Sequence, residues 1–274
     1  MISLSVDLLG ADTDERELLR GAIEALKQMP DLYLYLCGHS GIISPVLDAV
    51  PDIAGRYTVV DSPAALTNYD NPMEGYKNTD ASMVKAMTLV REGTAAGVVT
   101  CGATGEVLVS SIMLLGKLKG LRPILAVELK NAHGDPLLLL DCGANIDSRP
   151  ELYLSFARLG DAYLRSIGCK NPRISLLSNG AEDTKGCEAV KEANRLLHTL
   201  PVNFIGNIEP TAALSGVTDV IVCDGFHGNI LLKSIEGVAK AVIAEISEKL
   251  PDAPQNVRNV LAEVRRKYDY NTQG

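Results

Sequence analysis

The chain has 274 residues, 46% of them hydrophobic, enough for one large α/β domain or two smaller ones. A net charge of −8 and an isoelectric point near 5.1 argue against a general nucleic-acid binder, although a local basic patch for an acidic partner is not excluded. Trp is absent and aromatic residues make up only 4%, which argues against a base-stacking platform.

The chain opens on a β-rich run, Ile2–Val6, and then the loop Asp7-Leu-Leu-Gly10-Ala-Asp12. A helix-patterned stretch, Glu15–Met29, leads to a second run, Leu32–Leu36, and a third follows at Tyr57–Val60. Ser82–Glu92 is helix-patterned, Ala96–Thr100 reads as a strand, and Gly102-Ala-Thr104-Gly105 follows as a loop. Gly116–Gly120 is turn-like, Ile124–Val127 is β-rich, and Asn131–Pro136 is again turn-like. Leu137–Leu140 ends in the loop Asp141-Cys-Gly143-Ala-Asn145, and Pro150–Ser166 is helix-patterned. The runs Arg173–Leu177, Asn203–Ile205 and Asp219–Val222 complete the series. Most are continuously apolar rather than alternating, as expected when helices cover both faces of a parallel sheet. The fold class expected is therefore α/β, a doubly wound, largely parallel sheet with helices on both faces.

After Gly237 the character changes. Gly237–Leu250 has a helical pattern, Pro251 to Pro254 interrupt it, and Val257, Leu261 and Val264 form an apolar stripe beside Arg258, Arg265, Arg266 and Lys267. Such a basic amphipathic helix suits a membrane surface or a partner, but the preferred reading is an ordinary surface helix packed on the body. The expected division is an α/β body over 1–236 and a helical segment over 237–274. No N-terminal stretch has the order of a signal peptide and no apolar run reaches bilayer-spanning length, so a soluble, cytoplasmic protein is expected.

In doubly wound sheets ligands bind outside the carboxyl ends of the strands, where the Gly-, Asp- and Asn-rich loops of this chain fall. The most informative is Asp224-Gly225-Phe-His-Gly228-Asn229, where a strand ends and a helix begins at once. The helix's free N–H groups and positive dipole end can receive an anion there, with the Asn229 amide and the Lys233 cation close by. Asn179-Gly-Ala-Glu182-Asp-Thr-Lys185-Gly186 also lies between a strand and a helix, and a Lys there can hold a phosphate or a polarised carbonyl oxygen, or simply be solvated in a capping turn. Asp7, Asp12, Asp141 and Asp224 read by default as caps.

Other chemistries lack their signatures. There is no P-loop, no dinucleotide fingerprint after the first strand and no nucleophile elbow. His39, His133, His198 and His227 are dispersed without metal spacing, and His227 alone lies in a candidate loop, where a neutral role is preferred. Four of the six cysteines, Cys37, Cys101, Cys142 and Cys223, sit at strand ends and read as small buried hydrophobes in a reducing compartment.

Further segments in chain order are Asp80-Ala-Ser82-Met83, Arg122-Pro123, Leu140-Asp-Cys-Gly-Ala-Asn-Ile-Asp147, Leu177 to Gly186, Phe204-Ile-Gly-Asn207-Ile-Glu209 and Val222-Cys-Asp-Gly-Phe-His-Gly-Asn-Ile230. With the two N-terminal loops, these resemble the bacterial phosphate acyltransferases of phospholipid synthesis (the PlsX type) through most of the chain. The resemblance implies a fold similar to the isopropylmalate dehydrogenase and phosphotransacetylase group, usually homodimeric. It implies transfer of a fatty acyl group from acyl carrier protein to inorganic phosphate, without metal or organic cofactor and without nucleic acid, by a protein that is cytoplasmic or peripheral at a membrane. Lys185 and Asn229 match the catalytic pair. Asp7, Gly10, Asp12, Ser82, Gly102, Thr104, Gly105, Asp141, Gly143, Asn145, Asn207, Glu209, Asp224, Gly225 and Gly228 match positions expected to bind substrate or phosphate.

The chain departs from the family pattern at Ala11, Ala103, Glu106 and Ala181, and a basic stretch is thinned to Lys77. Glu106 is expected to oppose phosphate by its charge. Family members usually continue beyond the point where Gly274 ends this chain. Two alternatives follow: a non-catalytic relative that binds acyl carrier protein, and a phosphate acyltransferase that uses coenzyme A.

Overall fold

The computed structural model describes residues 1–146 and 149–268. Asp147, the last residue of one segment quoted above, and the terminal stretch from 269 lie outside the described residues. The chain divides into two compact units, Met1–Gly120 and Leu121–Gly274, each with its own sheet and core. The boundary falls at the stretch read as merely turn-like.

In the first unit, β1 (Ile2–Asp7), β2 (Leu32–Gly38), β3 (Tyr57–Asp61) and β4 (Gly97–Thr100) form a fully parallel sheet in the order β3-β2-β1-β4. The connecting helices are α1 (Glu15–Gln28), α2 (Ser40–Asp48), α3 (Pro72–Gly75) and α4 (Ser82–Arg91), and α5 (Thr104–Ser110) follows β4. The Asp14 carboxylate caps α1 by accepting from Arg16 N at 2.8 Å, and Leu19, Ala22, Ile23 and Leu26 form the buried stripe of that helix. Leu4 and Val6 pack with that stripe, whereas Ser5 faces the opposite side and donates to Ala86 O of α4 at 2.8 Å. Helices therefore cover both faces. Because β2 and β3 extend to one side of β1 and β4 returns to the other, the topological switch lies between β1 and β4.

The second unit holds β5 (Ala126–Lys130), β6 (Pro136–Leu140), α6 (Pro150–Ser166), β7 (Arg173–Leu177), α7 (Glu188–Leu197), β8 (Asn203–Ile208), β9 (Val220–Val222), α8 (Gly225–Lys249) and α9 (Gln255–Tyr268). Its sheet order is β5-β6-β9-β7-β8. Leu138 and Leu140 of β6 join α6 and α7 in one core, and Leu137 and Leu139 join Leu231 and Leu232 of α8 in another. A β carbon on Gly160 would lie 2.7 Å from Val220 Cγ1 and 2.8 Å from Leu140 Cδ1, so glycine lets α6 sit close on the sheet.

Two expectations need correction. The run Ile124–Val127 is not a parallel strand: β5 starts at Ala126, pairs antiparallel with β6, and alternates between exposed Ala126, Glu128 and Lys130 and buried Val127 and Leu129. It is a half-covered sheet edge joined by a tight turn, in which Asn131 Oδ1 accepts from His133 N at 2.9 Å and Asp135 N at 3.0 Å. The division drawn at 236/237 falls inside the unbroken helix α8, because Gly237 lies on an exposed turn of a helix already packed from Gly225 onward. No helix among the described residues is long and apolar enough to cross a membrane.

Candidate active site

The switch point of the first unit is organised by Asp7. Its buried carboxylate accepts from Ser82 Oγ at 2.5 Å, Thr100 Oγ1 at 2.7 Å and Leu9 N at 3.2 Å, so one side chain ties together the ends of β1 and β4 and the start of α4. Burial pushes its pKa up against those three bonds. Thr100 Oγ1 accepts from Gly102 N at 3.0 Å, which fixes the next loop. Gly10, at φ +77°, would place a β carbon 2.3 Å from Leu66 O, so its role is close backbone approach. Asp12, Thr104 and Gly105 are exposed, and the cap expected of Asp12 is supplied by Asp14.

In the second unit Asp141 is fully buried at the end of β6. Its Oδ1 accepts from Leu125 N at 3.1 Å, Gly143 N at 3.1 Å and Ala144 N at 3.0 Å; its Oδ2 accepts from Asn145 N at 2.8 Å and Nδ2 at 2.7 Å. Those five bonds make it the organiser of the loop. Asn145 Nδ2 also donates to Pro123 O at 2.8 Å, and Asn145 O accepts from Gly225 N at 2.8 Å. The start of α8 is pressed onto this loop: a β carbon on Gly225 would lie 2.9 Å from Gly143 N, and one on Gly228 only 1.8 Å from Asp141 O. Glycine at 225 and 228 is thus demanded by packing. Gly143 adopts φ +142°, which favours glycine.

Asp224 caps α8 through Oδ1, which accepts from His227 N at 2.9 Å. Its Oδ2 lies 2.6 Å from His227 Nδ1 and accepts from Tyr153 Oη at 3.3 Å. In the tautomer that carries its proton on Nδ1, the Asp224 carboxylate accepts from the ring of the exposed His227 and orients it. Burial and the nearby Asp224 charge push the Tyr153 phenol pKa well up.

A cavity of about 590 Å³ opens at the carboxyl ends of β7 and β9. Its walls include Leu177, Asn179, Cys187, His227, Ile230 and Leu231. The two matched catalytic residues flank it in sequence: Gly186 and Cys187 line it beside Lys185, and Ile230 beside Asn229. Both Lys185 and Asn229 are exposed. The stem of Lys185 lies across Gly180, where a β carbon would meet Lys185 Cγ at 2.5 Å. Lys233, read as a further cation for this loop, instead donates to Glu236 Oε2 at 3.0 Å.

The Lys185 loop is pinned by residues that sequence reasoning valued differently or missed. Asn207 Nδ2 donates to Glu182 O at 2.8 Å, and buried Asn194 donates from Nδ2 to Asn207 Oδ1 at 2.9 Å and to Asp183 Oδ1 at 3.1 Å. Gly206, at φ +98°, sits where β8 slips its register against β7, immediately before Asn207. Asn194 was not singled out; its signal is a polar residue on the same buried stripe as Val190, Ala193 and Leu197. Glu209 is exposed at the entry to a 3-10 turn.

Two other expectations are modified. Glu106 is buried rather than facing solvent: both carboxyl oxygens lack a hydrogen-bond partner, Oε2 would lie 2.4 Å from a β carbon on Gly75, and burial followed by the Asp70 charge raises its pKa. Its opposition to an anion is accordingly weakened. Cys37, Cys142 and Cys223 are buried as read, with burial pushing the Cys37 and Cys142 thiols up to about 12, but Cys101 is exposed. Among the described residues no group of three His, Cys, Asp or Glu side chains is placed to hold a metal.

Parallel strands under helices, with ordered polar loops at their carboxyl ends and an apolar cavity among the loops of the second unit, define an α/β enzyme scaffold. Its fold is that of solved phosphotransacetylases: EutD phosphotransacetylase from Staphylococcus aureus matches with a TM-score of 0.63 at 15% identity, over 87% of this chain and 82% of that one. A phosphotransacetylase from Streptococcus pyogenes matches with a TM-score of 0.62 at 19% identity, over the same shares. Sequence narrows the class. The family model described as "Fatty acid synthesis protein" matches residues 2–271. The phosphate acyltransferase of Shouchella clausii is 36% identical over 99% of this chain and 84% of its own length, and that of Clostridium acetobutylicum 32% identical over the same shares. The chain belongs to this phosphate acyltransferase family, and it is an acyltransferase.

Proposed function

We propose that the protein moves a fatty acyl group from acyl carrier protein to inorganic phosphate, giving acyl phosphate for phospholipid synthesis and the free carrier thiol. The observation that supports the site assignment is the apolar cavity of about 590 Å³ whose lining residues adjoin in sequence Lys185 on one loop and Asn229 in the first turn of α8. An acyl thioester needs an apolar berth beside polar groups that can receive phosphate and the carbonyl oxygen, and this cavity meets both needs.

Phosphate is already a nucleophile, so no covalent enzyme intermediate is required. A phosphate oxygen attacks the thioester carbon, the carbonyl electrons move onto oxygen, and on collapse the C–S bond breaks. Hydrogen phosphate and thioester thus yield acyl phosphate and thiol, the phosphate proton ending on sulfur. In this reading the Lys185 ammonium holds phosphate, the Asn229 amide donates to the oxyanion, and His227, oriented by Asp224, carries the proton. One oxyanion donor is worth on the order of 3 kcal/mol, about a hundredfold or more in kcat. The same reading includes a homodimer and contact with a membrane surface, for which exposed Ile246, Leu250 and Val260 supply apolar area.

The test is acyl phosphate formation, trapped as hydroxamate, from acyl carrier protein thioester and phosphate. Lys185→Ala and Asn229→Ala should each lower kcat/KM about a hundredfold or more. Carrier binding without turnover would instead make the chain a non-catalytic relative, and equal rates with coenzyme A thioesters would reassign the donor. Light scattering and vesicle flotation test the dimer and the membrane contact.

A further inference from the structure

Two helices begin at the cavity, and their starts differ. The start of α8 already holds an anion of the chain's own: Asp224 Oδ1 accepts from His227 N at 2.9 Å, and Asp224 Oδ2 accepts from Tyr153 Oη at 3.3 Å. A second anion there would meet that carboxylate. The start of α7 has no side-chain cap, its N-cap residue being Cys187, so the N–H groups of its first turn are left for an outside acceptor. Cys187 and Val190 of that turn, and Gly186 just ahead of it, line the cavity. Glu188, the acidic residue of the turn, is exposed and accepts from Lys191 Nζ at 3.0 Å instead of closing the helix end.

A second observation points to the same place. Ser178 follows β7, its N–H donating to Ile208 O at 2.9 Å, and is only 8% exposed. Its Oγ is buried with no hydrogen-bond partner among the described residues. A shut-in hydroxyl of this kind costs stability until something supplies the missing bond. The hydroxyl oxygen is 3.3 Å from the point that a β carbon on Gly186 would take, and Val190 Cγ1 is 2.5 Å from the same point. It therefore lies beside the open end of α7. Ser178 also lines the cavity, and a single torsion, about Cα–Cβ, aims its Oγ there.

We propose that inorganic phosphate binds at the start of α7, with the first-turn N–H groups and Ser178 Oγ donating to its oxygens beside the Lys185 ammonium. The inference rests on the acyl-transfer reading above and deepens it: phosphate is held on the α7 side of the cavity, and the thioester carbonyl on the α8 side, where Asn229 stands in the first turn. Charge decides between the two helix starts. Both present a positive dipole end, but only that of α7 is without a carboxylate cap.

The test is a calorimetric titration with inorganic phosphate, without thioester, of the unaltered chain, Ser178→Ala and Cys187→Asp. Ser178→Ala should weaken phosphate binding and raise the KM for phosphate about tenfold or more, the loss of one hydrogen bond to a charged group, with the KM for the acyl donor unchanged. Its melting temperature without phosphate should hold or rise, because alanine removes a hydroxyl that has no partner. Cys187→Asp should cap α7 as Asp224 caps α8, raising the melting temperature while abolishing phosphate binding. A serine that only supports the loop would behave in the opposite way, with a lower melting temperature and intact phosphate constants, and that result overturns the proposal. Where Ser178→Ala loses both stability and binding, Cys187→Asp decides: phosphate bound as tightly as by the parent overturns the site. An unaltered chain that takes up no phosphate overturns it as well. Phosphopantetheine is the second probe, and a loss in Ser178→Ala confined to it would give the site to the carrier's phosphodiester and remove free phosphate from it. Phosphate binding that depends on Ser178 in a protein that makes no acyl phosphate would keep the subsite and remove the acyl-transfer reading.

Discussion

The helix α8 contains two glycines that one substitution, Gly→Ala, separates by sign. Gly237 sits mid-helix on an exposed turn, with nothing within 4 Å of the position a β carbon would take. Alanine there gains only helix propensity, about 1 kcal/mol. At Gly228 the same methyl would lie 1.8 Å from Asp141 O and 2.8 Å from Cys223 Sγ. The obstructing oxygen is backbone, at the end of a central strand, so no side chain can swing aside. Overpacking of this kind costs about 1–3 kcal/mol, and a backbone obstruction belongs at the upper end or beyond. Against the same propensity gain, the net loss at 228 is about 2 kcal/mol or more. The two variants should therefore differ by about 3 kcal/mol, which corresponds to about 6–12 °C in melting temperature for a body of this size. Urea denaturation of both, with a shared m-value, is the assay. Acyl phosphate formation should follow stability only for Gly228→Ala, because displacing the Asp141 carbonyl also disturbs the loop its carboxylate organises. A Gly228→Ala midpoint equal to or above that of the parent would refute the reasoning, since it would mean that α8 does not press on β6 as described.

Three further perturbations probe the site. His227→Ala should lower kcat about a hundredfold, the typical share of a positioned proton carrier; an unchanged kcat would remove His227 from proton transfer. Asn194→Ala frees Asp183 and Asn207 and should raise the KM for phosphate several-fold with a smaller change in kcat, about 1 kcal/mol of lost positioning; equal loss of stability and activity with KM constant would reduce Asn194 to a packing residue. Glu106 has a folded pKa raised above its unfolded value, so the folded state binds more protons and stability falls as pH rises from the usual carboxylate range towards that raised value. Glu106→Gln removes that fall, so the variant should gain most over the parent near pH 8 and least near pH 4.5, as read from urea midpoints; a gain independent of pH would show that the carboxyl is solvated.

How far the sequence carried the fold and site can be traced residue by residue. All nine β-rich runs appear as strands, because buried parallel strands such as Leu137–Leu140 are apolar on both faces and announce themselves without periodicity. The antiparallel edge was hidden because Ile124 and Leu125 extend an apolar run past the true start of β5, and only the alternation of Ala126–Lys130 betrays a half-exposed strand. The unit boundary at Gly120 has the composition of an ordinary turn, whereas Gly237 looks like a boundary yet lies in a helix sustained by contacts on either side. In the site, loop chemistry was legible but its division of labour was not. Asp7, Asp141 and Asp224 are carboxylates at strand ends, which any pattern marks as caps or ligands, and only geometry shows their oxygens committed to neighbouring N–H and O–H groups. In the second unit this commitment makes Asp141 and Asp224 organisers of the loop after β6 and of the start of α8, beside the cavity. The residues that look like ligand contacts in sequence thus act in large part as the frame of their own loops, their oxygens spent on neighbouring N–H and O–H groups.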